Sequence, residues 1–202
     1  MKWKSHIQNI ISKTRHMIFS FIALRDILPL YQLRLIYEGL FVSVWSYGIL
    51  VWGGTKDIEP LEILNRKILK VLINKPKRFS TASTYKISKV MNVEQIYCTR
   101  LLKYMIKKQK IQFEVQSRRP TRESNKYKAI SSRKNTAIAE TCHEFLGPRL
   151  FNLMPIDVRR TFYHDTALNH FYKIVQWIQE NKSNLIIAAK TEVAISNLKQ
   201  IK

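Results

Sequence analysis

The chain has 202 residues, enough for one domain, or one domain with an appendage, around a real core. Lys and Arg number 35 against 14 Asp and Glu, and the formal charge of +21 favours a polyanionic partner, nucleic acid or anionic lipid. Two cysteines and no secretory signal exclude a disulfide scaffold and fit a reducing, intracellular setting, nucleus or cytoplasm.

The first 25 residues hold five basic side chains and no acid. Ile7, Ile10, Ile11, Ile18, Phe21 and Ile22 fall on one face, so a core helix is the better reading and a mitochondrial presequence the lesser. Pro29 ends or redirects this helix, since proline lacks the donor and clashes with the preceding turn. Leu33, Ile36, Tyr37, Leu40, Phe41 and Val44 follow at offsets 0, 3, 4, 7, 8 and 11, an amphipathic stripe that Gly53-Gly54 terminates. Residues 39–55 carry no charge, but Ser43, Ser46 and Gly48 interrupt them and Lys56-Asp57 follows. They read as a buried core helix, and no stable membrane insertion is expected.

Asp57 is a candidate cap for a third helix, with Pro60 in its first turn. Ile58, Leu61, Leu64, Ile68, Val71 and Leu72 face its core, and Arg66, Lys67 and Lys70 face out. Pro76 closes it. Residues 75–83 form a basic loop with Lys75, Lys77 and Arg78, and Ser83 or Thr84 begins a short helix. Asn92 marks a turn before a longer helix from about Val93 to Lys108, with Tyr97, Leu101, Tyr104 and Met105 on its apolar face. Arg100, Lys103, Lys107 and Lys110 recur at offsets 0, 3, 7 and 10, so they form one basic stripe. A helix-turn-helix over Ser80–Cys98 is a lesser reading, since helical hairpins are common.

From Ser117 to Lys134 the chain is polar and basic, which reads as a long loop. A helix is expected near Ser132, a break at Gly147-Pro148, and a short helix over Arg149–Pro155. Leu168, Phe171, Val175 and Ile178 give the last amphipathic helix, capped by Asp165 or Thr166, with a terminal helix possible after it. Little of the chain alternates with period two, so the fold class is mainly α. The expected organisation is a helical region over 1–110, a basic flexible loop over 111–135 and a helical C-terminal region over 136–202.

Catalytic signals are missing. A two-metal polymerase centre needs closely placed carboxylates, and the chain has no Asp-Asp pair. Glu59 and Glu62 read as residues of a solvated helix start. Cys142-His143, Cys98, His164 and His170 lack the spacing of a zinc site, and no Gly-rich loop cradles a phosphate. The positive signal is the set Arg66, Lys67, Lys70, Lys75, Lys77, Arg78, Arg100, Lys103, Lys107 and Lys110. Phosphate contacts need only such cations projecting from rigid elements.

Residues 33–55, LRLIYEGLFVSVWSYGILVWGGT, add a resemblance. Tyr37, Ser43, Tyr47-Gly48 and Trp52-Gly53 are similar to the stretch after the catalytic palm in reverse transcriptases of non-LTR retrotransposons, jockey-like elements in particular. The likeness continues through LNRKILKVLINKP (64–76) and STASTYKISKVMNVEQIYCTRLLKYM (80–105), and then through Phe151-Asn152-Leu153-Met154-Pro155, which resembles aromatic-Asn-x-Leu-Pro with Met154 where Leu is commoner and the register shifted by one. A final helix with Phe171 and Lys173 follows, so four further pieces in order carry the likeness over about residues 15–180.

By this resemblance the chain is a thumb-like helical bundle and the region after it. Its partners are then a template–primer duplex of RNA or DNA and a polymerase palm that the chain lacks. The resemblance carries over no catalytic residue and no enzyme activity of the chain's own. Magnesium is implied only in the palm, and no cofactor in this chain. The apolar faces of the first helices, shaped to pack on that palm, are expected to be exposed. The alternatives are a stand-alone helical nucleic-acid-binding protein derived from such an element, and a membrane-surface protein whose basic helices bind anionic lipid.

Overall fold

The computed structural model describes residues 3–112, 127–131, 136, 139–164, 170–181 and 185–191. The protein is mainly α-helical, and no β-strand forms among the described residues. The chain divides into two compact units, Met1–Ile96 and Tyr97–Lys202.

In the first unit, α1 (Lys4–Arg25) buries Ile7, Ile10, Ile11 and Phe21 at helical spacing. Thr14 shares that face. Its hydroxyl donates to the Ile10 carbonyl at 2.8 Å and accepts from Trp45 Nε1 at 3.1 Å. Pro29 is more than a stop. Its extended backbone starts α2 (Leu30–Tyr37), and its carbonyl accepts the Leu33 N–H at 3.1 Å.

α2 runs into a π-helical turn (Glu38–Val42) and then α3 (Ser43–Ser46). The Ser43 N–H reaches back five residues to the Glu38 carbonyl. This turn decides the core. Leu33, Tyr37, Phe41, Trp45 and Ile49 are the buried residues, each four after the last. In a straight α-helix every step of four overshoots a full turn by about 40°. The wider π turn absorbs that excess and returns Phe41 and Trp45 to the face of Tyr37. The expected stripe placed Leu40 in the core, yet it is 42% exposed. The break also comes earlier than Gly53-Gly54. Tyr47 is extended and Gly48 sits at φ 66°, a left-handed conformation that favours glycine. A separate turn, α4 (Ile49–Trp52), follows.

α5 (Glu59–Leu72) packs on α1 and α2 through Leu61, Leu64, Ile68, Leu69 and Leu72. Asp57 does not cap it. It lies inside a preceding 3₁₀ turn (Lys56–Ile58), and Ile58 holds the cap position with no side-chain bond. Pro60 in the first turn has no N–H, which leaves a capping side chain less to satisfy. The helix ends four residues before Pro76. Asn74 turns left-handed at φ 51°, and the Lys75 N–H closes on the Lys70 carbonyl at 2.9 Å. α6 (Thr81–Ser88) starts before the expected Ser83.

Four polar side chains tie these helices together. Tyr37 Oη donates to Asn65 Oδ1 at 2.7 Å, and Asn65 Nδ2 to Tyr85 Oη at 3.4 Å. Tyr85 Oη donates to Glu62 Oε1, and the Val93 N–H to Glu62 Oε2 at 2.8 Å. Glu62 is therefore no residue of a solvated helix start, as the sequence suggested, whereas Glu59 is exposed. Asn92 and Gln95 exchange bonds of 3.0 and 2.7 Å, a reciprocal cap that starts α7 (Val93–Lys107). The division between the two units falls within α7.

In the second unit, α7 buries Tyr97, Cys98, Leu101, Leu102, Met105 and Ile106. Gln109 at φ 51° ends it, with the Lys110 N–H on the Met105 carbonyl at 2.9 Å. α8 (His143–Asn152) runs straight through Gly147-Pro148, where a break was expected. A Cβ on Gly147 would meet Met105 Cγ at 2.8 Å, so glycine permits the close approach of α8 to α7. Pro148 stands inside the helix, past its first turn, and costs the hydrogen bond its own N–H would have made.

Asn152 behaves like a peptide group. It accepts the Ala129 N–H at 2.7 Å and donates to the Ala129 carbonyl at 2.9 Å. α9 (Ile156–His164) was not expected at all. α10 (Phe171–Glu180) buries Ile174, Trp177 and Ile178. α11 (Leu185–Thr191) packs on α8, and Arg149 Nη1 donates to the Lys190 carbonyl at 2.9 Å. The expected caps Asp165 and Thr166, Leu168, the start of the helix expected near Ser132, and most of the expected loop over 111–135 lie outside the described residues.

Two buried tyrosines distinguish a working hydrogen bond from an idle hydroxyl. Tyr37→Phe leaves the Asn65 carbonyl buried and unpaired, and should cost about 1–3 kcal/mol in urea unfolding. Tyr97 Oη is buried with no partner among the described residues. Tyr97→Phe should be neutral or stabilising by up to about 1 kcal/mol in the same assay.

Candidate nucleic-acid interface

The ten cations singled out in the sequence form two surfaces, one in each unit. In the first, α5 projects Arg66, Lys67 and Lys70 away from Leu64, Ile68 and Leu72. Lys67 is exposed, and Arg66 and Lys70 are half-buried. Lys70 Nζ donates to the Lys77 carbonyl at 2.7 Å, so the helix holds the loop that carries the other cations. Lys77 and Arg78 are exposed there, and Lys75 Nζ lies 5.8 Å from the centre of the Phe79 ring.

In the second unit, Arg100, Lys103 and Lys107 lie exposed along α7. Lys110 lies beyond the end of α7, so it extends the stripe from a turn and not from the helix. Rings accompany these cations. Lys110 Nζ is 5.3 Å from the Tyr104 ring centre, and Lys103 Nζ is 6.0 Å from that of Phe171. The His143 ring packs edge-on to Tyr104 at 5.4 Å. Sequence reasoning treated Tyr104 and Phe171 as core, yet both are half-buried. The available signal was Tyr104 standing directly beside Lys103.

Among the described residues no carboxylate lies within ion-pair distance of any of the ten. An ion pair does form between Arg25 and Asp26, at 2.8 Å, and it belongs to neither surface. The nearest acid on α5 is Glu62, one turn before Arg66. Burial pushes its carboxyl above the usual range, outweighing the bonds from Tyr85 and Val93 and the Arg66 charge. Burial, and then the charge of Glu62, push the Tyr37 and Tyr85 phenols up, so both stay neutral donors.

The chemistry on offer is electrostatic. Cations on helices and anchored turns engage phosphates without base readout. No three His, Cys, Asp or Glu side chains gather as a metal-binding group among the described residues. No described helix is long and apolar enough to cross a membrane.

Glu62 gives the first unit a pH dependence. Unfolded, it releases its proton in the ordinary glutamate range; folded, it holds the proton to higher pH. Between those two values the unfolded state binds fewer protons, so stability falls as pH rises through that window. Melting temperatures across the window should show that fall in the parent chain and a flatter profile for Glu62→Gln. Comparisons of the chain with protein-family models, with curated proteins and with solved structures find no match.

Proposed function

We propose that this chain is the thumb and post-thumb part of a non-LTR retrotransposon reverse transcriptase, an RNA-directed DNA polymerase. In this reading it grips the backbone of a template–primer duplex and performs no chemistry itself. The observation that carries the binding part is the set of ten cations with no carboxylate in ion-pair range among the described residues. A charge not ion-paired to a carboxylate is available to phosphate, and release of condensed counterions drives the association.

The polymerase part rests on the order of resembling pieces. Several of those residues have structural work in the fold. Tyr37 anchors the buried polar chain, Gly48 takes the left-handed turn, and Asn152 clamps Ala129. Apolar side chains on α1, α2 and the turn between them support a missing partner. Phe19, Ile27, Tyr31 and Leu35 are each more than 60% exposed. Surface of that kind suits burial against a palm.

The test is binding of the purified chain to a labelled RNA–DNA hybrid across a salt series. The logarithm of affinity should fall linearly with the logarithm of salt. Changing Arg100, Lys103 and Lys107 together to Glu should reduce the slope by roughly two to three. Binding that ignores salt, or a folded chain that binds no hybrid, overturns the reading. Loss of the hybrid to anionic vesicles in competition favours a lipid partner.

A further inference from the structure

The second unit's basic surface differs from the first in what lies between its cations. Two of its lysines stand over rings held by helices, Lys103 over Phe171 of α10 and Lys110 over Tyr104 of α7. The next residue of α10, Tyr172, is 61% exposed. In the first unit the corresponding couple, Lys75 with Phe79, sits in a loop.

A duplex has no use for such rings. Its bases are stacked on one another, and it offers phosphates that cations alone can hold. Unpaired bases expose their faces, and an aromatic ring among cations stacks with any of them. The face that Tyr104 or Phe171 offers to an ammonium group is the face a base would take. A lysine displaced from the ring remains within reach of the adjoining phosphate, so its charge stays satisfied.

We infer that the second unit takes unpaired nucleic acid, stacking bases on Tyr104, Phe171 and Tyr172 while Lys103 and Lys110 hold the phosphates. This rests on the nucleic-acid reading above and adds unpaired strand as a ligand of this surface, beside the duplex backbone that its cations hold. Stacking on a π-face is indifferent to base identity, so the site is tolerant of sequence.

The experiment measures fluorescence anisotropy of the full chain with a short oligouridine and with a blunt RNA–DNA hybrid of equal length. The probe variant is Tyr104→Leu with Tyr172→Leu, which keeps apolar bulk and changes no charge. Oligouridine affinity should drop about tenfold while hybrid affinity stays within about twofold. The ratio within one variant separates stacking from misfolding, because a folding defect lowers both affinities. Tyr172→Leu alone, at an exposed position, should move the same ratio about threefold. Lys107→Gln should weaken both ligands together. Equal losses for the ring variant, or no loss at all, overturn the single-strand inference and leave the duplex reading standing. A folded parent chain that binds neither ligand overturns both.

Discussion

Glu62 accepts hydrogen bonds on both of its oxygens, from the Tyr85 hydroxyl and the Val93 backbone, and the outer face of the first unit follows from that geometry. With Leu64, Asn65, Ile68 and Leu72 turned inward on α5 and Glu62 at the edge of that buried face, helical spacing sends Arg66, Lys67 and Lys70 towards solvent. The same carboxylate fixes where α6 and the start of α7 stand against α5. The loop between α5 and α6, with Lys75, Lys77 and Arg78, is held at one end by the left-handed Asn74 and along its length by Lys70. A buried polar chain of this kind is costly if broken, because each member left unpaired loses its water and gains nothing in return. The chemistry of the interface is thus at the surface, and its placement is decided inside.

Charge and packing are divided along the helices. α5 and α7 each put aliphatic residues on one side and cations on the other, and among the described residues the cations find no carboxylates. At +21 such a chain repels itself, and a polyanion relieves that repulsion on binding. The first unit offers cations from a helix and an anchored loop. The second interleaves cations with rings, which suits a ligand that has base faces to offer.

The amphipathic helices were legible where hydrophobic spacing follows an undistorted α-helix. Ile7, Ile10 and Ile11 of α1, Leu61, Leu64 and Ile68 of α5, and Leu101 and Met105 of α7 are core residues in sequence and structure alike. The spacing of four from Leu33 to Ile49 was misread, because a π turn is not a property that single residues announce. The capping reading of Asp57 assumed a helix that began one residue earlier, at Ile58 and not at Glu59. Gly147-Pro148 looked like punctuation, since the tight contact with Met105 that calls for glycine is visible only after folding. α9 escaped because Phe162 is its one apolar residue that is buried among the described side chains, and Arg159 on the same helix is buried too. The ten candidate cations were legible as a stripe and a loop. The rings under Lys103 and Lys110 depend on side-chain positions that spacing alone does not give.

The central claim, that backbone phosphates meet the cations of α5, its loop and α7, is tested most directly by photocrosslinking. The bound nucleic acid would carry a photoreactive uridine analogue, and the crosslinked peptides would be read by mass spectrometry at low and high salt. The account predicts crosslinks confined to peptides containing residues 66–79, 100–110 and 171–173, and their loss at high salt. Crosslinks centred instead on the apolar face of α1 and α2, or a pattern that persists unchanged at high salt, would contradict it.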